Sequence, residues 1–182
     1  CDYSGLNGLQ NAVVRFLGNA VCNGQKELWL YSDQNIDWMT GDKLFFPKWA
    51  SLMSECVRRG VKIKIIHSID RGADEMMAAI EGWLPLYMSG MIESFFFRGK
   101  ANKHFSHTIF LAPGSACVHA FHVRGAETEG RYYYSTDEES LVFFQKEYSL
   151  LLEQSKPLVK IFTQRNADDY RMLFTEGFIV ND

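Results

Sequence analysis

The residues between 27 and 67 constrain the fold most, because they read as strand, helix and strand in close succession. Glu27–Ser32 is a short, nearly continuous apolar run, which is typical of a strand buried on both faces. Residues 61–67 have the same character, and Gly60 before them is typical of a helix end. A helix between the two strands is predicted by apolar residues at helical spacing, namely Phe45, Trp49, Leu52 and Cys56. Such a unit favours a right-handed crossover and a parallel pair of strands.

The rest of the hydrophobic pattern predicts further elements, with no linker or internal repeat that would separate two domains. Helices are expected at residues 6–20, 76–83 and 166–176, and behind a capping box formed by Thr136 and Glu139. Strands are expected at residues 91–97, 107–112, 116–123, 131–135 and 158–162, the fourth of them at a sheet edge. We therefore expect one α/β domain over residues 1–182, with a mixed β-sheet flanked by helices.

Composition and charge argue against some classes of function. The chain has 182 residues, 47% of them hydrophobic, and a formal net charge of −3. This weakly acidic balance argues against a protein that binds the phosphate backbone of nucleic acids, which requires a clustered basic face. No apolar stretch reaches the roughly 18–20 residues that a membrane span requires, so no membrane association is expected.

The cysteines indicate the cellular compartment of the protein, and the first residue indicates whether the sequence is a fragment. The four cysteines form no Cys-x-x-Cys pair, which favours reduced thiols in a cytoplasmic protein and no metal or other cofactor. The chain opens with Cys1 instead of Met, so we expect a fragment of a longer protein.

Two polar loops follow the two strands of the parallel pair. Ligands collect beyond the carboxyl ends of parallel strands, where loops meet helix N-termini that favour anions. The candidate ligand-binding residues are Ser32, Asp33 and Trp38 after the first strand, and His67, Ser68 and Arg71 after the second. The alternative is that Asp33 and other polar residues here only cap helices and turns, and that His67 merely ends its strand.

Four histidines and a cysteine fall close together between residues 104 and 122, which raises the possibility of a zinc site. If the hairpin turns at Pro113-Gly114, Ala112 opposes Ser115. The hairpin then places His107 and His122 on one face of the sheet and Cys117 and His119 on the other. This register separates the candidate ligands, so we expect no metal.

The pattern Leu-Trp-Leu-Tyr-Ser-Asp at residues 28–33, with a helix ending in Arg-Gly-Val at residues 59–61, resembles the opening of a phospholipase D-like domain. The likeness covers roughly residues 26–125. Catalysis in that family uses His-x-Lys-x4-Asp, in which the His attacks a phosphodiester and the Lys neutralises the phosphate. This motif is missing here, since neither His107-Thr108-Ile109 nor His122-Val123-Arg124 reproduces it. The chain is thus similar to the C-terminal sensor region of bacterial helix-turn-helix transcription regulators.

The resemblance and the polar loops lead to one main hypothesis and two alternatives. The main one is a non-catalytic domain of a cytoplasmic regulator of transcription that senses a small anionic molecule, forms a homodimer and contacts DNA only through a domain absent from this chain. The first alternative is a phosphodiesterase or nuclease of the phospholipase D-like class that uses His107 or His122. The second is a dimerisation domain without a ligand.

Overall fold

The computed structural model describes residues 2–68, 86, 88–97 and 102–159, and these form a central sheet with helices on both sides. The eight strands are β1 (Asp2–Ser4), β2 (Glu27–Ser32), β3 (Lys62–Ser68), β4 (Ile92–Phe97), β5 (Phe105–Ala112), β6 (Ala116–Val123), β7 (Arg131–Ser135) and β8 (Ser155–Val159). The helices are α1 (Gly5–Cys22), α2 (Asp37–Thr40), α3 (Phe45–Arg58) and α4 (Glu138–Glu153), with one 3-10 turn at Glu127–Glu129. The predicted helices at residues 76–83 and 166–176 lie outside the described residues.

The strands are arranged in the order β1-β7-β6-β5-β2-β3-β4-β8. Strands β2 and β3 run parallel, and so do β3 and β4, whereas the other neighbours are antiparallel. This confirms the predicted mixed sheet and its central parallel pair. Helix α3 makes the crossover between β2 and β3, and Gly60 after it adopts a φ of +83°, which glycine reaches without strain.

The α1 face of the sheet carries the larger core. Alternate residues of β2 and β3, such as Leu28, Leu30 and Ile63, pack there against helices α1, α2 and α3. Leu9 and Ala12 of α1 and Met53 and Cys56 of α3 are fully buried in this cluster. The apolar stripe of each helix therefore faces the sheet, as the helical spacing predicts.

Among the residues that the structure describes, one helix covers the α4 face. Tyr148 of α4 is fully buried against Tyr31 and Ile66, and its hydroxyl lies 3.2 Å from the carbonyl oxygens of both Leu30 and Lys64. One buried hydroxyl thus ties α4 to the two central strands at once. Trp29 packs on the Tyr148 ring with a centroid distance of 5.4 Å.

The hairpin of β5 and β6 is present, but the predicted register is wrong by one residue. Ala112 pairs with Ala116, and His107 pairs with Phe121. The loop has three residues, with Gly114 at a φ of +74°. Because side chains alternate along a strand, this shift of the register by one residue changes which histidines share a face of the sheet.

Three further expectations differ from the structure. Strand β7 is not an edge strand, because β1, which the sequence pattern did not predict, pairs with its outer side. Helix α4 is capped by Asp137, whose carboxylate accepts from the backbone N–H of Ser140, and not by the Thr136 capping box. Strand β8 begins at Ser155, before Pro157, instead of after it.

Candidate functional site

A pocket opens on the α1 face at the carboxyl ends of β2 and β3, where the two polar loops were predicted to meet. Its unfilled space is about 770 Å³, including the part open to solvent. The walls are mostly apolar and come from α1, α2, α3 and the sheet, and they include Phe16, Leu17, Leu30, Trp38, Trp49, Met53 and Phe110. The pocket therefore suits a ligand with an apolar body.

Three of the six predicted ligand-binding residues line this pocket: Ser32, Trp38 and His67. Ser32 and His67 come from the ends of β2 and β3, and Trp38 comes from α2, which is folded over the pocket. The Trp38 ring is held against Phe45 and Phe110 at centroid distances of 5.9 and 6.2 Å. The strand ends thus bring a hydroxyl and an imidazole to an otherwise apolar cavity.

Asp33 is buried, and its side chain bonds to other residues of the protein instead of lining the pocket. Its carboxylate accepts from the backbone N–H of His107 at 2.7 Å and from the hydroxyl of Tyr31 at 3.1 Å. Arg124 reaches the same carboxylate at 3.3 Å and also donates to the Asp33 carbonyl at 2.9 Å. This arrangement fastens the end of β2 to the β5–β6 hairpin, and Asp33 is not among the residues that line the pocket.

The remaining two candidates are not placed at the pocket by the structure. Ser68 is 4% exposed at the end of β3, next to His67, and it is not among the lining residues. Its side chain points to the opposite face from that of His67, because neighbours in a strand alternate. Arg71 lies outside the described residues, so its role in anion binding stays a prediction.

Behind Ser32 the structure shows a buried polar chain that sequence reasoning missed. The Ser32 hydroxyl lies 2.9 Å from that of Thr108, and Thr108 lies 3.4 Å from the side-chain oxygen of Gln34. The same oxygen accepts from the Tyr132 hydroxyl at 2.9 Å. Burial raises the pKa of Tyr132 to about 12, so its proton stays in place as a donor. The sequence carries no local signal for this chain, since Gln34 and Tyr132 are 98 residues apart.

The two histidines considered as alternative nucleophiles lie on opposite faces of the sheet. His122 is 8% exposed on the α1 face, where its Nε2 bonds the Arg131 carbonyl at 2.9 Å and its ring meets Tyr132 edge-on. His107 is exposed on the α4 face beside Phe121. The prediction that His107 and His122 share a face was therefore wrong, and the shifted hairpin register is the reason.

Cys117 and His119 lie on the same face as His107, also contrary to the predicted register. Within the described residues, no group of three or more His, Cys, Asp or Glu side chains could hold a metal ion. Cys22, Cys56 and Cys117 form no disulfide. Burial raises the pKa of the Cys56 thiol to about 11 and that of Cys117 further still, so both are poor nucleophiles.

The fold is a mixed α/β domain with an apolar pocket at the carboxyl ends of the parallel strands β2 and β3. No family model and no curated protein matches the sequence. Among solved structures, the chain is similar to TrmBL2, an archaeal chromatin protein that shows a novel mode of DNA binding. The TM-score is 0.56 at 14% identity, and the match covers 86% of this chain and 52% of the other, so this chain spans about half of its length. At this identity the likeness shows a shared fold.

No helix among the described residues has the length and apolar character needed to cross a membrane.

Proposed function

We propose that this chain is a non-catalytic, phospholipase D-like sensor domain of a cytoplasmic regulator of transcription, and that it binds a small organic anion in the pocket between α1, α2, α3 and the sheet. The single observation that carries the proposal is the position of this pocket. An apolar cavity with a hydroxyl and an imidazole lies where the β2 and β3 loops were predicted to hold a ligand.

The lining supports one chemical class of ligand over others. Aromatic and aliphatic side chains form most of the wall, whereas Ser32 and His67 offer polar groups from the strand ends. An inorganic phosphate or a sugar phosphate would bury little apolar surface in such a site and would need several donors. A carboxylate with an apolar body fits better, with the carboxylate near His67 and, following it in the chain, Arg71.

The positions of the histidines favour binding over catalysis. The family motif has a Lys two residues after its His, but neither His107 nor His122 is followed by such a Lys, and His122 is buried and packs against Tyr132. His107 is exposed on the opposite side of the sheet from the pocket. The shared fold with a DNA-binding chromatin protein supports a regulatory setting. In our proposal, DNA is contacted by a part of the protein outside this chain.

The test is a thermal-shift and calorimetry screen of aliphatic and aromatic carboxylates, with inorganic phosphate and glucose 6-phosphate as comparison probes. A carboxylate present at 100 times its dissociation constant stabilises the fold by about 2.7 kcal/mol. For a chain of this length that corresponds to roughly 5–10 °C in Tm. We expect such a shift with carboxylates of medium size and none with inorganic phosphate.

A matched pair of histidine variants locates the binding. His67→Gln changes a residue of the pocket wall, and His104→Gln changes an exposed histidine at the start of β5. We expect His67→Gln to weaken carboxylate binding about tenfold and His104→Gln to leave it unchanged. A carboxylate that binds both variants equally well would contradict the assignment of the pocket, and turnover of a phosphodiester that is lost in His122→Ala would favour the enzyme instead.

A further inference from the structure

Helix α2 is a single turn that forms one wall of the ligand pocket. Trp38 and Met39 of this turn, together with Ile36 just before it, line the unfilled space. The backbone N–H groups of Met39 and Thr40 both donate to the Ile36 carbonyl, at 2.9 and 3.0 Å. These bonds lie inside the segment, so they give the turn its shape without fixing its position against α1 and the sheet.

Gln10 of α1 bonds to this turn from outside. Its side-chain Nε2 donates to the Trp38 carbonyl at 2.8 Å and to one carboxylate oxygen of Asp42 at 3.1 Å. Both partners are acceptors, so they require the nitrogen of the Gln10 amide at this position. The other Asp42 oxygen accepts from the backbone N–H groups of Leu44 and Phe45 at the start of α3. One amide nitrogen therefore joins α1, α2 and the start of α3.

The rest of the contact between α2 and its neighbours is apolar packing. Trp38 and Met39 are 6% and 3% exposed, and the Trp38 ring packs against Phe45 and Phe110. Apolar packing is favourable but has no preferred direction, and beside an unfilled space it allows more than one position of a single turn. A hydrogen bond to one backbone carbonyl is directional and selects one of these positions.

We propose that Gln10 is a positioning residue of the pocket, which holds α2, and with it the Trp38 ring, closed over the unfilled space. When the bond between the Gln10 amide and the Trp38 carbonyl breaks, α2 moves away from α1 and the pocket opens. Val13 and Phe16 of α1 line the same pocket, so Gln10 joins two of its walls. The role of α2 as a gate for an anion rests on the proposed function, whereas its closure by Gln10 does not.

The experiment is hydrogen–deuterium exchange of the 182-residue chain, measured by mass spectrometry without any ligand. A single turn that is released from its neighbours does not keep its own hydrogen bonds, so the exchange of its amides reports the opening. Gln10→Ala should raise the exchange rate over residues 37–41 about tenfold, as expected for the loss of a hydrogen bond. The exchange rates of β2 and of the second half of α3 should stay unchanged.

Gln25→Ala is the matched control. Gln25 also donates from its side-chain amide to a backbone carbonyl, that of Pro113, at 3.1 Å. This bond lies at the start of β2, whereas the pocket lies at the end of that strand. We expect Gln25→Ala to leave the exchange rate over residues 37–41 unchanged.

An exchange of donor and acceptor separates the hydrogen bond from the packing of residue 10. Gln10→Glu places a carboxylate of the same shape against two acceptors, and it should open α2 further than Gln10→Ala does. Asp42→Asn offers an amide N–H to that carboxylate and keeps an oxygen for the start of α3. The chain with both changes should therefore exchange more slowly over residues 37–41 than the chain with Gln10→Glu alone.

Three results would overturn the proposal. The first is an exchange rate over residues 37–41 that Gln10→Ala leaves unchanged. The second is a rise that spreads equally over the whole chain, or that Gln25→Ala produces as well, since the effect would then be a general loss of stability. The third is a chain with both changes that opens as far as Gln10→Glu alone. A carboxylate screen without a binding compound would contradict the proposed function and would not affect these measurements, because they use no ligand.

Discussion

The two faces of the sheet are built differently. The α1 face is covered by three helices and holds the larger apolar cluster, yet it encloses unfilled space at the ends of β2 and β3. Within the described part of the chain, the α4 face is covered by one helix that is anchored by Tyr148, and aromatic rings such as that of Phe121 are exposed beside that helix. The face with more helices thus contains the cavity, and the face with fewer contains the exposed surface.

The difference between the two faces follows from the number of described helices that pack on each of them. Helices α1, α2 and α3 meet over the first face, and the space between them at the ends of β2 and β3 is not filled. The one helix that the described residues place on the other face packs along its length but is narrower than a sheet of eight strands. The unfilled space on the first face is the site that we propose for a small ligand.

The largest expected effect concerns Tyr148, the fully buried side chain by which α4 bonds to two strands. Tyr148→Ala removes a fully buried ring and a hydroxyl that reaches two strands, and we expect it to cost roughly 3–5 kcal/mol of unfolding free energy. Tyr148→Phe keeps the ring and should cost only about 1–2 kcal/mol. Urea denaturation measures both. Equal losses in the two variants would show that the hydroxyl, and not the packing, holds α4.

The second-largest expected effect concerns the ion pair between Arg124, which follows the β5–β6 hairpin, and Asp33, which follows β2. Arg124→Ala leaves the buried Asp33 carboxylate without its guanidinium, and we expect a loss of about 3 kcal/mol, because the Asp33 side chain is only 4% exposed. Arg59→Ala breaks an ion pair with Glu55 on the surface of α3 and should change the denaturation midpoint too little to measure. A similar small change in Arg124→Ala would mean that solvent replaces the arginine.

A smaller effect distinguishes the filled and unfilled parts of the α1 face. Leu28 and Leu30 both point to that face from β2, but only Leu30 of the two lines the pocket. Leu28→Phe should cost about 1–3 kcal/mol by overpacking, whereas Leu30→Phe has room and should cost less than about 1 kcal/mol. Leu30→Phe should also weaken carboxylate binding. Equal destabilisation would argue that the cavity is closed in solution.

The smallest effect is a dependence of stability on pH from His119 on the α4 face. Burial between Tyr133 and Phe144 lowers its pKa, although Asp137 opposes this. The folded protein therefore favours the neutral ring. The contribution of the neutral His119 ring to the stability of the fold is complete above the ordinary pKa of 6.5. It is lost as the pH falls through the lower pKa that His119 has in the folded protein. His119→Gln should reduce the fall in Tm between about pH 7.5 and 5.5. An unchanged pH profile would exclude His119 as its source.

The sequence predicted those parts of the fold in which local pattern is strong. The β2–α3–β3 unit, helix α1 and strands β4 to β6 follow from apolar spacing and from Gly60, because each element buries its own stripe or face. The hairpin register was missed because it depends on whether the loop has two or three residues. Strand β1 was missed because three residues carry no periodicity.

The candidate site also has parts that the sequence predicted and parts that it did not. Ser32, Trp38 and His67 were predicted to lie together because the carboxyl ends of parallel strands meet at one edge of the sheet, and all three line the pocket. The partner of Asp33 was not found, since Arg124 is 91 residues away and nothing in the local pattern connects the two. The polar chain through Gln34 and Tyr132 was missed for the same reason.

The sequence by itself determined the longer helices and strands, such as α1, α3 and β2 to β6, and that β2 and β3 are parallel, because these follow from local spacing and from chain connectivity. Only the tertiary structure decided that Asp33 binds Arg124, that His107 and His122 are separated, and that the site is an apolar pocket. These outcomes depend on strand register and on how closely helices pack, and both are set by contacts between residues far apart in the chain.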